Sequence, residues 1–142
     1  LRYSNVYGPH QNPHGEAGVV AIFCQRLIEG LPPVIFGDGE QTRDFISVRD
    51  VARANKLALE PECKGIFNVG TGKETTVNFL TKGLIKISGI DVTTEYNPAR
   101  NGEQRRSSID SRKLLERFGW QPCFSLEEGL VETFDYFKNK IS

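Results

Sequence analysis

Three times along this chain a short run rich in β-branched or aromatic residues meets a turn and then a segment whose apolar residues recur at helical spacing. Leu1-Arg2-Tyr3 leads through a Pro- and Gly-rich loop, Tyr7 to Gly15, into Gly18 to Ile28, where Val19, Val20, Ile22, Phe23, Leu27 and Ile28 mark the apolar face. Phe45-Ile46 runs into a helix predicted over Val48 to Glu60, with Ser47 as its N-cap and Asp50 three residues on. Gly65 to Val69 reaches Thr76 to Ser88 through the turn Gly70-Thr71-Gly72, and Phe79, Leu80, Leu84, Ile85 and Ile87 are expected inward. Such alternation predicts an α/β layer structure rather than a bundle or a sandwich.

The remaining punctuation agrees. Gly30 with Pro32-Pro33 stops the first helix and Pro61 the second, and Val34-Ile35-Phe36 and a stretch near Val92 to Tyr96 read as strands. Asp110 can cap a helix over Ser111 to Phe118 closed by Gly119, and Ser125 with Glu128 forms a capping box that opens a last helix to about Phe137. At 142 residues one domain is expected. Lys plus Arg equals Asp plus Glu at 18 each, so no global field gathers nucleic acid or an anionic membrane. The three cysteines have no metal-ligand spacing and suit a reducing, cytoplasmic compartment. Pro9 and Pro13 keep His10 and His14 from sharing a helix face, so no metal site is expected. The longest apolar run, Gly18 to Cys24, falls far short of the ~20 residues of a membrane span. The chain begins at Leu1 inside a strand and holds no methionine, which suggests a piece of something longer.

Four stretches look like chemistry. Gly70-Thr71-Gly72 follows a strand and precedes a helix, as a phosphate cradle does, but Phe67 and Thr75 stand where glycines are needed, so a plain turn is expected. Tyr136 and Lys140 have the Tyr-x-x-x-Lys spacing of a phenol activated by an ammonium, yet they fall where a solvated helix end is expected. His10 is expected near a pocket rim. Two stretches remain: Gly37-Asp38-Gly39, a reversal that aims Arg43 from the following strand, and Asn97 to Arg106, with three arginines within seven residues. Arginine's planar fork suits phosphate oxygens, so Arg43 and Arg100 could clamp one diphosphate. The competing reading is that these arginines pair at the surface with Asp38, Asp44 or Glu103 and do little.

The order of these motifs decides between the two. Leu1-Arg2-Tyr3-Ser4-Asn5-Val6-Tyr7-Gly8-Pro9, Phe36-Gly37-Asp38-Gly39 with Thr42-Arg43-Asp44-Phe45, Phe67-Asn68-Val69-Gly70-Thr71-Gly72, Arg100-x-Gly-Glu-x-Arg-Arg-Ser, and Leu115-x-x-x-Gly119-Trp120-x-Pro122 together resemble the extended short-chain dehydrogenase/reductase family, narrowly its NAD-dependent nucleotide-sugar epimerases and dehydratases. The resemblance covers nearly the whole chain. It implies the substrate-binding, C-terminal portion of an extended Rossmann-type epimerase, short strands alternating with helices, with the NAD-binding domain and the catalytic Tyr-x-x-x-Lys pair upstream of Leu1. It implies no catalytic residue in this chain and no turnover by the chain alone. The implied partner is a UDP-sugar in a homodimeric parent, with UDP-hexose C4 epimerisation the expected reaction. A 4,6-dehydratase, a decarboxylase or a non-catalytic nucleotide-sugar binding module are the alternatives.

Carried over position by position, Asn5 is implied to bind the substrate diphosphate, and Tyr3 and Ser4 to brush the nicotinamide end of NAD. Val20 is implied to line the nucleotide, and Val34 and Phe36 the uracil. Arg43 and Arg100 are the implied pyrophosphate arginines. Glu103 stands where the motif more often has aspartate near the ribose, and His10 where arginine is frequent.

Overall fold

The computed structural model describes residues 1–14 and 18–141, so Gly15, the last residue of the expected first loop, lies outside them. Thirteen short elements follow one another: β1 (Arg2–Tyr3), β2 (Asn5–Tyr7), α1 (Val19–Ile28), β3 (Val34–Phe36), β4 (Thr42–Arg43), β5 (Phe45–Ser47), α2 (Val48–Leu57), β6 (Asn68–Val69), β7 (Thr75–Thr76), α3 (Val77–Ser88), β8 (Glu95–Asn97), α4 (Arg112–Phe118) and α5 (Leu126–Ile141). Three pairings are parallel, β1 with β6, β2 with β5 and β3 with β8, and β4 pairs antiparallel with β7. Parallel neighbours need long crossovers, and helices fill them here. The chain is a mixed α/β structure of five helices and short strands among the described residues.

Strand β5 separates two apolar clusters. Side chains alternate along a strand, so Phe45 enters one cluster and Ile46 the other. The first cluster joins α1 (Phe23, Leu27), α3 (Leu80, Leu84) and α5 (Leu130, Phe134, Phe137). The second joins Val51 and Ala54 of α2 to Val69, Leu114 and Trp120. Each fully buried leucine or phenylalanine here contributes roughly 1.5–3 kcal/mol of transfer free energy.

Several sequence expectations shift. On α3 the buried stripe is Val77, Leu80, Thr81 and Leu84; Phe79, two residues or about 200° from Val77, is exposed. Helix α2 ends at Leu57 rather than Glu60, because Leu59 and Glu60 already make tighter i→i−3 bonds to Lys56 and Leu57 and the residue before Pro61 disfavours helix. The strand expected from Gly65 starts only at Asn68, and the one expected near Val92 to Tyr96 spans Glu95–Asn97. Helix α5 continues past Phe137 to Ile141. Its capping box forms as expected: Ser125 N donates to Glu128 Oε2 at 2.9 Å, and Glu128 N to Ser125 Oγ at 3.2 Å. Ser47 caps α2 by accepting from Arg49 N at 3.2 Å.

Asp50 does not close that cap. Its fully buried carboxylate instead accepts from the backbone N–H groups of Cys123 and Phe124 and from Arg53, tying the entry of α5 to α2. A second fully buried carboxylate, Asp44, accepts from Thr71 N at 3.0 Å, Thr71 Oγ1 at 2.6 Å, Gly72 N at 3.0 Å and Ile109 N at 3.3 Å. The Gly70-Thr71-Gly72 loop is therefore an anion cradle, and the anion is internal. Gly70 is needed for the approach: a Cβ there would stand 2.7 Å from Asp44 Oδ2.

Replacing Asp44 by alanine would take the acceptor from three part-buried backbone N–H groups, at roughly 1 kcal/mol each, the low end for an unmade bond that water can reach. Urea unfolding of Asp44→Ala is expected to show a loss of about 3 kcal/mol; a loss below about 1 kcal/mol would show that the loop does not depend on the carboxylate.

Candidate functional site

A cavity of about 510 Å³ opens between α1, β3 and the loop that follows β8. Helix α1 presents Val19, Ile22 and Phe23 to it, and β3 presents Val34, Ile35 and Phe36. Asn5, Arg43, Arg100 and Glu103 line it as well. The cavity thus combines apolar walls with hydrogen-bonding and cationic groups, a mixture that suits a flat heterocycle joined to an anion.

Local structure explains how the charged groups are brought together. Arg43 and Phe45 both line the cavity while Asp44 between them points at Thr71 and Gly72, the period-two alternation of an extended segment. The backbone N–H of Asn5 donates to Asp44 O at 2.9 Å, which sets β2 beside Arg43. Arg100 to Glu103 forms a turn closed by Glu103 N donating to Arg100 O at 3.4 Å, with Gly102 at φ 77. A glycine in the third position of such a turn supplies the positive φ that a side chain resists, and the turn brings its first and fourth residues to one place. Arg100 and Glu103 are those residues.

The four arginines of this region sort by partner. Arg105 makes a bidentate pair with Asp38 at 2.7 and 2.9 Å, and Arg106 one with Glu74 at 2.9 Å on both bonds. These two fasten the loop to the turn after β3 and to the loop before β7. Arg100 instead lies over the Phe36 ring, its Cζ 4.0 Å from the centroid, with no acidic partner among the described residues. Arg43 donates through Nη1 to Thr42 O and Gln104 O at 2.8 and 2.7 Å, and its Nη2 lies 3.3 Å from Glu103 Oε1. Surface pairing therefore accounts for Arg105 and Arg106, while Arg43 and Arg100 line the cavity.

Of the residues expected at a substrate site, Asn5, Val34, Phe36, Arg43, Arg100 and Glu103 line this one cavity. Val20 does not. It is 1% exposed inside the first cluster, and Val19 takes the cavity position, because one residue along a helix turns the side chain by about 100°. Tyr3 and Ser4 do not line the cavity either: Tyr3 is exposed and donates its hydroxyl to Asn55 Oδ1 at 2.6 Å, and Ser4 Oγ is buried with no protein partner. His10 leaves the expected rim for the Tyr136 ring, centroids 4.6 Å apart, with its Nδ1 3.1 Å from the Tyr136 hydroxyl. Tyr136 is accordingly half-buried rather than a solvated end, since α5 runs a further turn beyond it. Two lining residues carried no motif: Gln41, almost fully buried, donates Nε2 to Phe36 O at 2.9 Å, and Arg26 donates Nε to Pro32 O at 2.7 Å.

Comparison with known proteins bears on what this cavity belongs to. Residues 1–70 match the NAD dependent epimerase/dehydratase family. Over 138 residues the chain is 46% identical to the UDP-glucose 4-epimerase of Mycolicibacterium smegmatis, which covers 96% of this chain and 44% of that protein. The chain belongs to the NAD dependent epimerase/dehydratase family. Its fold matches the structure of UDP-glucose 4-epimerase from Thermotoga maritima with UDP-glucose at a TM-score of 0.94 and 52% identity, over 100% of this chain and 46% of that one. It matches UDP-N-acetylglucosamine 4-epimerase from Methanobrevibacter ruminantium in complex with UDP-N-acetylmuramic acid at a TM-score of 0.93 and 37% identity, over 99% and 46%. This epimerase-family chain spans less than half the length of these relatives. No helix among its described residues is long and apolar enough to cross a membrane.

The fastening of the family member's Arg100 loop has a pH signature. The Arg105 guanidinium beside Asp38, helped by the backbone N–H of Glu40, holds that carboxyl down at about 2, against an ordinary 3.8. A depressed folded value means the pairing is complete above pH 3.8 and is lost as the pH falls through about 2. Carbon-detected NMR titration of Asp38 should give a midpoint near 2, moving toward 3.8 in Arg105→Gln; a midpoint near 3.8 in the unsubstituted chain would mean that the pair does not form.

Proposed function

We propose that this chain binds the nucleoside diphosphate of a UDP-sugar in the cavity between α1, β3 and the Arg100–Glu103 turn, as the C-terminal, substrate-holding portion of an NAD-dependent UDP-hexose 4-epimerase. The observation that carries the reading is the convergence of Asn5, Arg43 and Arg100 on one cavity that is also walled by apolar residues of α1 and β3. The uracil lies along β3, between Val34 and Phe36 and the α1 side chains Val19 and Ile22. The diphosphate lies against the Asn5 amide and the Arg43 and Arg100 guanidinium groups, whose planar forks match its oxygens. Glu103, on the same turn as Arg100, is placed to accept from the ribose. UDP-sugars bound in the solved relatives support the ligand class.

The Gly70-Thr71-Gly72 strand-to-helix loop is filled by the Asp44 carboxylate, so it is not proposed as the seat of a dinucleotide. Contact with NAD is proposed only at Tyr3 and at Ser4, whose Oγ is a buried oxygen with no protein partner. Bound beside Tyr3 and Ser4, NAD would supply reversible hydride chemistry at the sugar C4. The residues here hold the other end of the substrate. An anchor remote from the reacting carbon keeps the oxidised sugar in the enzyme while leaving the hexose able to turn, and supplies the positioning that converts binding energy into rate. Tyr136 and Lys140 do not line the cavity, and no proton transfer is assigned to them.

Isothermal calorimetry with UDP tests the reading. Arg43→Ala is expected to weaken UDP binding about 10- to 150-fold, the ~1.5–3 kcal/mol of a charged hydrogen-bonding group; unchanged affinity would overturn the assignment.

A further inference from the structure

The cavity lined by Arg43 already contains an anion, the Glu103 carboxylate. Glu103 Oε1 lies 3.3 Å from Arg43 Nη2, and both side chains are largely enclosed, 31% and 19% exposed. Arg43 is held in that pose from behind, its Nη1 donating to Thr42 O and Gln104 O. The chain after Glu103 is also fastened: Thr42 N donates to Arg105 O at 2.9 Å, Arg105 grips Asp38, and Arg106 grips Glu74. Glu103 itself belongs to the preceding turn, closed by one long hydrogen bond of 3.4 Å to Arg100 O. Its carboxylate can therefore leave Arg43 by side-chain rotation alone, without releasing the fastened residues.

We infer that Glu103 is a built-in competitor for the anion seat at Arg43: it occupies the guanidinium when no ligand is bound and yields it to a multiply charged phosphate, so that the site selects its ligand by anionic charge. The inference rests on the reading that Arg43 takes the diphosphate. A singly charged ligand replaces one carboxylate by one anion and gains little. A diphosphate engages Arg43 and Arg100 together, and this second contact outweighs the lost pair. Once displaced, Glu103 stays in the same cavity as the ligand, and like charges at close quarters oppose binding. The residue that pairs with Arg43 thus also raises the threshold for ligand binding.

The test is calorimetric titration of the 142-residue chain and of Glu103→Gln with inorganic pyrophosphate, which has no ribose to contact, and with UDP. Glu103→Gln is expected to bind pyrophosphate about two- to fivefold more tightly, the span of a partly exposed ion pair, and the gain is expected to vanish when Arg43→Ala is added. Pyrophosphate binding that is unchanged, weaker or undetectable in Glu103→Gln overturns the inference, as does an equal gain in the Arg43→Ala background. UDP separates this failure from failure of the functional reading. If both chains bind UDP and the pyrophosphate gain is missing, only the competitor role falls; if neither binds UDP, the functional reading falls and takes the competitor role with it.

Discussion

The Asp44 carboxylate is the interaction on which the rest of the arrangement depends. A buried charge is tolerated only where its hydrogen bonds are complete, and Asp44 receives three backbone N–H donors and one hydroxyl from two segments far apart in sequence. That bond set fixes the backbone at residue 44, and alternation along the extended chain does the rest. Arg43 and Phe45 face the cavity, while Asp44 and Ile46 face the opposite layer. The Asp44 carbonyl also takes Asn5 N, so the asparagine and the arginine that line the cavity are registered against each other through one residue. An arginine on a surface loop would spend binding free energy on being ordered; Arg43 is ordered before a ligand arrives.

Charge in this chain is balanced overall but not locally. Arg105 and Arg106 are consumed in fastening a loop, and Arg43 and Arg100 are kept for the cavity, one against Glu103 and one over an aromatic face. The two roles support each other. Bidentate pairs anchored at Asp38 and Glu74 position the loop, and the Arg100–Glu103 turn hangs from it over the mouth of the cavity. The Gly37-Asp38-Gly39 reversal thus does more than redirect the chain toward Arg43: its aspartate is the post to which the second arginine segment is tied.

Local signals in the sequence were legible and rotations and long-range partners were not. Ser125 with Glu128, Gly119 after α4 and the prolines after α1 and α2 act within a few residues, so their chemistry can be read from spacing. Val20 and Phe79 show the limit: each sits on a recognisable helix, but the buried stripe is chosen by what packs against it, and a shift of one or two residues exchanges core for cavity or solvent. Gly70-Thr71-Gly72 has the composition of an anion loop for a physical reason, yet nothing near it reveals that the anion is Asp44, 27 residues away from Thr71. Gln41 and Arg26 had no signal at all, because each is placed by a single bond to a backbone carbonyl. The order of the Arg43 and Arg100 motifs with Asn5 was the exception, since a resemblance carries three-dimensional proximity that spacing does not.

One ligand is expected to touch both the apolar walls and the cationic groups of this cavity. Backbone-amide NMR of the chain during titration with UDP tests it most directly. The account predicts that shifts concentrate at Asn5, Val34 to Phe36, Arg43 and Arg100 to Glu103, with Gly72 and Trp120, in the neighbouring cavity, unmoved. Shifts centred on Gly72, Ile109 and Trp120, or a spectrum unchanged at saturating UDP, would contradict it.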